Sequence, residues 1–179
     1  FYTDEEISEY CSSRLAQRRK PIFALNNGVE TNVICTLRAP YKASERLDRL
    51  LFIGRITAKA EIGTLLTALA SAHCRHIGLD VIGDGEHKEE ARQKSNDLGH
   101  GKRVIWHPAT TDERLIAPIA NRCKAFVYPG SVGLSLIHGL AYGLPAIVHD
   151  DRWRHMPEIA ALKSGVNGRV FVRGEDTSL

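Results

Sequence analysis

The sequence contains few of the features that mark specialised protein classes. Its 179 residues include only four cysteines, and no two of them form a C-x-x-C pair. The scarcity and scatter of cysteine exclude a disulfide scaffold and favour reduced thiols in a cytoplasmic protein. The first residues show no basic region followed by an apolar stretch, the pattern typical of a signal peptide.

An excess of charge is also absent. There are 24 basic and 21 acidic residues, which gives a formal net charge of +3. So small an excess gives no reason to favour a nucleic-acid partner. With 43% hydrophobic and 25% charged residues, the composition excludes a disordered tail and a collagen-like repeat and is typical of one globular domain.

Charged residues are missing altogether from Ala125 to His149, a run long enough to span a bilayer. However, Pro129, Pro145 and several glycines interrupt this run. Such residues divide it into a strand, a helix and a second strand. We therefore expect the buried centre of an α/β domain there and not a transmembrane helix.

Several catalytic and cofactor motifs are missing. Gly83-Asp84-Gly85 lacks the third glycine of the dinucleotide fingerprint, which disfavours a nicotinamide cofactor. His73-Cys74-Arg75-His76 has no second ligand cluster to complete a zinc site. Asp150-Asp151 is not the D-x-D pattern that holds a metal in some sugar transferases, and no nucleophile elbow, P-loop lysine or H-E-x-x-H is present.

What the sequence does contain, from residue 50 onward, is an alternation of apolar strands and amphipathic helices. This alternation predicts a doubly wound, Rossmann-like parallel sheet of the α/β class with right-handed crossovers. The predicted strands are Leu50–Ile53, Leu79–Ile82, Val104–Trp106, Ala125–Tyr128, Ala146–His149 and Arg169–Val172. The predicted helices are Glu61–His73, Glu86–Leu98, one capped by Thr110-Thr111-Asp112 and ending near Arg122, Gly133–Tyr142, and a short one near Pro157.

Residues 1–49 have a different pattern. They predict a helix at Asp4–Arg19, a strand at Ile22–Leu25, a turn at Asn26-Asn27-Gly28 and a polar linker at Thr36–Arg49. We interpret this part as the end of another domain and its linker, and residues 50–179 as one domain with a truncated C-terminus.

In doubly wound sheets, ligands bind beyond the carboxyl ends of the strands. The segments directly after the predicted strands are therefore candidates for a site. They are Gly54-Arg55, Gly83-Asp84-Gly85, His107-Pro108, Pro129-Gly130-Ser131 and His149-Asp150-Asp151.

Two cations follow the first predicted strand. Arg55 and Lys59 can both extend over the strand ends, where Arg offers bidentate hydrogen bonds and Lys a point charge. This pair suits a diphosphate. The alternative is a solvated turn that carries two surface charges.

The segment Gly130-Ser131-Val132-Gly133-Leu134-Ser135 joins the fourth strand to its helix. Its glycines allow a close backbone approach, and the helix N-terminus offers free N–H groups to an anion. Small residues are equally needed for tight packing of a helix on a sheet. His138, further along that helix, is either a satisfied core residue or a contact of the ligand.

These features, taken in order, resemble the glycosyltransferase family 4 group of GT-B enzymes, in their C-terminal donor-binding domain. The resemblance covers about residues 20–172. It is carried by Asn27-Gly28-Val29-Glu30, the strand ending at Gly54-Arg55, Val81–Gly85, Ala125–Pro129, Gly133–Pro145 and Val166–Phe171.

The resemblance implies one half of a GT-B fold that transfers a sugar from a nucleotide-sugar with retention of configuration. Arg55 and Lys59, together with the amides at Gly133, Leu134 and Ser135, would neutralise the leaving diphosphate. The base would lie near His107 and the ribose near His138. Gly54, Asp84, Gly130 and Ser131 complete the implied donor site.

The resemblance also implies a glycan or lipid-linked acceptor, bound by the other domain. Neither a metal nor another cofactor is required by this scheme. The expected location is the cytoplasm, with peripheral association at the inner membrane face allowed. We expect the isolated 179 residues to bind a nucleotide without turnover.

Two positions depart from the family pattern. Gly130 and His138 stand where the family usually carries two glutamates, eight positions apart. A neutral imidazole can still hydrogen-bond a ribose, whereas glycine cannot replace a carboxylate. Two alternatives therefore stay open: a nucleotide-sugar epimerase of the same fold, and a non-catalytic nucleotide-sugar-binding subunit.

Overall fold

The computed structural model describes residues 3–12, 21–25 and 27–174, and these contain one six-stranded sheet in which all pairings are parallel. The strands are β1 (Leu47–Ile53), β2 (Gly78–Ile82), β3 (Val104–His107), β4 (Cys123–Tyr128), β5 (Ala146–His149) and β6 (Gly168–Phe171). Each overlaps the strand that the sequence predicts. The bounds of β5 agree with the prediction, and those of the other strands differ by one to three residues at one or both ends.

The α-helices are α1 (Asp4–Ser12), α2 (Asn32–Leu37), α3 (Ile62–Leu69), α4 (Lys88–Asp97), α5 (Glu113–Ala120) and α6 (Leu134–Ala141). Short 3₁₀ turns occur at Ala58–Ala60, Ala72–Cys74 and Pro157–Ala161, among others. Asp112 caps α5 as expected, because its side chain accepts a hydrogen bond from the amide of Arg114.

The strand order is β3-β2-β1-β4-β5-β6. The chain moves outward from β1 in one direction and then returns to β4 to move outward in the other. This confirms the predicted doubly wound, Rossmann-like fold. The reversal between β1 and β4 opens a crevice at the carboxyl ends of these two strands, where such folds bind ligands.

The central strands are buried because helices cover both faces of the sheet, which is why they are almost continuously apolar. Phe52 of β1 and Tyr128 of β4 stack with ring centroids 4.8 Å apart. Helix α6 packs against the same region, and a Cβ at Gly139 would come within 2.6 Å of the Phe126 ring. The charge-free run is thus an interior strand-helix-strand unit. Among the described residues, no helix is both long and apolar enough to cross a membrane.

The N-terminal part departs most from the prediction. Residues 21–25 form no strand and pair with none of the described strands, and Phe23 and Leu25 are 69% and 80% exposed. The predicted linker instead contains the last two residues of α2, a 3₁₀ turn at Ala43–Glu45 and the first residues of β1. Helix α1 falls within the predicted Asp4–Arg19 helix, whose residues 13–19 lie outside the described part, as does Asn26 of the predicted turn.

A buried carboxylate of β2 bonds side chains of β1, of β3 and of the segment between α5 and β4. Asp80, in the middle of β2, is fully buried. Its Oδ2 lies 2.5 Å from Nε of Arg49, its Oδ1 lies 2.6 Å from Nε2 of His107, and Arg122 also donates to it. Burial would raise the pKa of Asp80, but the hydrogen bonds from these three side chains outweigh it and hold the pKa below its ordinary value.

We predict that Asp80→Asn lowers the free energy of unfolding by about 3–5 kcal/mol, because two guanidinium groups lose their buried counter-charge. Urea unfolding at neutral pH measures the loss. Asp48→Asn is the matched control, since Asp48 pairs with Lys124 at the surface and should change little. Equal effects of the two substitutions would contradict the role of Asp80.

Candidate functional site

An open cleft of about 700 Å³ lies at the carboxyl ends of the central strands. Strand ends, the loops after them and the first turns of α5 and α6 contribute its walls. The residues that line it are Val29, Ile53, Gly54, Arg55, Ile82, Gly83, Asp84, Ala109, Thr110, Thr111, Glu113, Leu134, Ser135 and His138. Six of the predicted site residues are therefore brought together there: Gly54, Arg55, Asp84, Leu134, Ser135 and His138.

One part of the cleft is built to attract an anion. Arg55 lies exposed at its wall, and the Arg55 side chain forms no hydrogen bond or ion pair with any other described residue. Nearby, α6 begins after Gly133, which has no side chain to cap the helix. The first N–H groups of α6 are thus free to bind a ligand, and the helix dipole adds partial positive charge.

Gly54 allows this close arrangement. Its φ is +152°, and a Cβ at this position would lie 2.8 Å from Oγ of Ser135 and 3.1 Å from the ring of Tyr128. Any other residue would be strained and would push α6 away from the end of β1. The glycine therefore brings the Arg55 turn against the N-terminus of α6.

His138 and Glu113 form a second polar group in the cleft. Nε2 of His138 lies 3.0 Å from Oε1 and 3.2 Å from Oε2 of Glu113, and the hydroxyl of Tyr142 donates to Oε2 at 2.5 Å. The histidine is thus both hydrogen-bonded to the protein and part of the cleft wall, and its contact with a ligand stays a prediction.

Asp84 also lines the cleft, and its side chain is 69% exposed. Its Oδ1 accepts a hydrogen bond from the amide of Gly85 at 3.0 Å and lies 3.5 Å from Nζ of Lys88. The carboxylate is therefore held by its own turn and by the first residue of α4.

Four of the other predicted residues, Lys59, Gly130, Ser131 and Gly133, do not line the cleft. Lys59 is exposed, and its carbonyl oxygen accepts a hydrogen bond from the amide of Ser131 at 2.9 Å. Gly130 is buried against the same turn, where a Cβ would lie only 2.0 Å from that carbonyl oxygen. These residues position the loop between β4 and α6, and a role of Lys59 at the diphosphate stays a prediction.

His107 is placed differently from the expectation. Its side chain turns back along β3 to bond Asp80 and does not line the cleft. The loop after β3 instead presents Ala109, Thr110 and Thr111. Contact of His107 with a base likewise stays a prediction.

Sequence reasoning missed Glu113, the two threonines and Val29 as cleft residues. The threonines and Asp112 were interpreted only as a helix cap. Their position directly after a strand was the available signal, because every such loop meets at the same edge of a parallel sheet. No signal in the sequence could pair Glu113 with His138, since they belong to different helices 25 positions apart.

Two stacked histidines support the loop that leads to α6. The rings of His149 and His155 lie 3.8 Å apart, and both side chains are buried. Nδ1 of His155 accepts a hydrogen bond from the amide of Val132, while its Nε2 bonds the carbonyl of His149. Burial, and then the positive charge that a protonated His155 would carry, lower the pKa of His149 to about 4.

A search for side chains that could hold a metal finds no suitable cluster of three or more His, Cys, Asp or Glu within the described part of the chain.

A sequence model of the family described as "Glycosyl transferases group 1" matches residues 34–179. The chain therefore belongs to this family, as the motifs predicted. A search of curated protein sequences gave no match.

Solved structures similar to this chain are GT-B glycosyltransferases, and the chain matches a part of each. The apo form of the lipopolysaccharide outer core galactosyltransferase WaaB is 22% identical, with a TM-score of 0.68, over 84% of this chain and 42% of that one. Staphylococcus aureus TarM, in a variant bound to fondaparinux, α-GlcNAc-glycerol and UDP, is 17% identical, with a TM-score of 0.71, over 97% and 33%.

Anabaena HepE, in complex with UDP and glucose, is 18% identical, with a TM-score of 0.66, over 87% of this chain and 44% of that one. The chain thus spans between one third and one half of the length of these proteins. At such low identity, the similarity shows the fold alone.

The histidine pair predicts a pH dependence of stability. The pKa of His149 is about 4 in the folded chain, whereas an unfolded histidine titrates near 6.5. The unfolded chain therefore binds this proton first, and stability falls as the pH drops from about 6.5 to about 4, by roughly 2–3 kcal/mol from this group. Above pH 6.5 its contribution is complete.

The measurement is the free energy of unfolding of the wild type and of His149→Phe between pH 4.5 and 6.5. We expect a flatter profile for the variant, which keeps an aromatic ring beside His155. The exposed His73, changed to Gln, should leave the wild-type slope intact. A variant profile as steep as that of the wild type would refute the assignment.

Gly130→Ala should destabilise the fold by about 3 kcal/mol or more, because the new Cβ would overlap the carbonyl of Lys59 and the backbone of Ala60. Gly28→Ala is the control, since a Cβ there meets nothing within 4 Å. Thermal unfolding compares the two. A stable Gly130→Ala variant would show that the loop does not require this close contact.

Proposed function

We propose that the chain is the donor-binding domain of a retaining glycosyltransferase that uses a nucleotide-sugar. One observation carries this proposal: the guanidinium of Arg55, which has no partner among the described residues, lies in the same cleft as the N-terminus of α6, at the switch point of the sheet. Both groups attract an anion, and two such groups in one cleft suit a diphosphate better than a single carboxylate.

The chemistry follows from where charge develops. When the bond between the sugar and the diphosphate breaks, negative charge builds up on the leaving phosphate. Arg55 and the amides of α6 are fixed donors that stabilise this charge more strongly in the transition state than in the bound donor. In this scheme the cations of the protein neutralise the diphosphate, and no metal is needed.

The nucleoside would occupy the side of the cleft formed by the ends of β2 and β3. Ile82 and Ala109 offer apolar contacts to a base there, and Thr110 and Thr111 offer hydroxyl groups. The structures of TarM and HepE named above contain UDP, which makes uridine diphosphate the first probe for this chain.

The acceptor would be a glycan or lipid-linked sugar bound by the remainder of a longer enzyme. The relatives in structure are two to three times as long as this chain, and Val29 at the cleft wall belongs to residues 1–49. We therefore propose residues 1–49 as the end of the acceptor-side domain and its linker. The isolated 179 residues would bind nucleotide without turnover, in the cytoplasm or at the inner membrane face.

A second candidate is a nucleotide-sugar-binding subunit without transferase activity. The observation that favours it is the tight packing of Gly130, which leaves no room for a carboxylate at that position. Assays of sugar transfer by the full-length protein distinguish the two, because a binding subunit would bind the donor and release no nucleoside diphosphate.

We predict that Arg55→Ala lowers kcat/KM of the full-length enzyme by about 100-fold, the usual effect of removing one donor that stabilises transition-state charge. Steady-state release of nucleoside diphosphate measures it. Arg92→Ala, on the exposed surface of α4, is the control and should keep wild-type kinetics. Unchanged kinetics in Arg55→Ala would contradict the proposed site.

A further inference from the structure

Glu113 places a carboxylate in the cleft, and the binding of a diphosphate gives no reason for a negative charge there. It is the first residue of α5, and its side chain is 19% exposed, so the carboxylate reaches the cleft while its stem is covered. A carboxylate repels phosphate. The part of a ligand that lies against it must instead carry hydrogen-bond donors.

The protein uses only part of the capacity of this carboxylate. His138 and Tyr142 both donate to it, through Nε2 and the hydroxyl group. Burial, and then the hydrogen bond to Glu113, raise the pKa of Tyr142 well above its ordinary value, so the phenol keeps its proton and remains the donor. An ionised carboxylate has about four acceptor positions, which leaves about two for a ligand.

Two neighbouring acceptor positions fit a pair of adjacent hydroxyl groups. His138 lies four residues after Leu134 on α6, or about 6 Å along the axis from the amides that face the diphosphate. The cleft continues from there to Ile82 and the loop after β3, and it contains no residue of β5 or β6. The group next to Glu113 is therefore the sugar ring that follows the phosphates toward the base.

We infer that Glu113 binds the vicinal hydroxyls of the donor's ribose, with His138 and Tyr142 as positioning residues that hold the carboxylate in place. The inference rests on the proposed function, since it assumes a nucleoside diphosphate in the cleft. In this assignment the two hydroxyl groups bind Glu113 of α5, next to His138 of α6. With the diphosphate at Arg55 and the ribose at Glu113, the direction in which the nucleotide lies is then fixed.

The test is calorimetric titration of the full-length protein with uridine, guanosine and adenosine diphosphates and with the 2′-deoxy form of whichever binds. We expect the wild type to prefer the ribose form by roughly ten- to a hundred-fold, the usual effect of one hydrogen bond to a charged group. Glu113→Gln should bind the ribose form less tightly and lose most of this preference. The glutamine oxygen can still accept from Tyr142, so the fold should persist, as thermal unfolding checks.

The matched control is Glu89→Gln, an exposed glutamate in the first turn of α4 that should keep the wild-type preference. If the glutamine variant of Glu113 does not fold, Glu113→Asp withdraws the carboxylate by one methylene and should lose the same preference. A wild type without preference, or a Glu113→Gln that keeps it, overturns the inference alone. Glu113→Gln could instead weaken binding of the nucleotide-sugar and leave binding of the nucleoside diphosphate unchanged. That result would place the carboxylate at the transferred sugar and would also overturn the inference. If no nucleoside diphosphate binds to the wild type, the proposed function fails as well.

Discussion

The close approach of two loops at the centre of the sheet determines the shape of the cleft. The turn after β1 and the segment between β4 and α6 meet backbone to backbone. The amide of Ser131 bonds the carbonyl of Lys59, and Gly130 lies where a Cβ would overlap that carbonyl. Gly54 permits the same closeness to Ser135. Because these contacts leave no space for side chains, the N-terminus of α6 is held beside Arg55 at a fixed distance.

Electrostatic polarity is the second property of the cleft. Arg55 and the α6 amides attract an anion at the switch point. Glu113 of α5 places its carboxylate beside His138, about one helical turn after the start of α6. Asp84, a largely exposed carboxylate, also lines the cleft. Asp80, in the middle of β2, is neutralised by Arg49, His107 and Arg122 inside the sheet and therefore contributes to stability. The field in the cleft is set by Arg55, Asp84, Glu113 and the helix dipole.

The position that bears glutamate in much of the family is explained by packing. A carboxylate at residue 130 would require the loop to move away from the Ala58–Ala60 turn, and the chain has glycine there. At residue 138 the helix carries histidine, but a carboxylate is present all the same, because Glu113 reaches His138 from α5. A carboxylate thus lies beside residue 138, although it comes from a different helix.

The alternation of apolar strands and amphipathic helices was sufficient to predict the parallel sheet, its class and the segments at its carboxyl edge. These features depend on local periodicity and on turn residues, so they can be read within a window of about ten residues. The family motifs are equally local, and they identified the glycosyltransferase group. The strand predicted at Ile22–Leu25 pairs with none of the described strands, whereas β1 begins inside the predicted linker because Leu47 and Arg49 pair with β4 and β2. In both places the pairing context, which a local pattern does not contain, decided between strand and coil.

The pairing of side chains across the cleft was decided only by the tertiary structure. Whether Lys59 enters the cleft, whether His107 faces a ligand or Asp80, and which carboxylate meets His138 all depend on the directions that side chains take from different elements. Periodicity specifies the face on which a residue lies. Distances between elements far apart in the chain are fixed by packing, here by the glycine contacts that bring β1, β4 and α6 together.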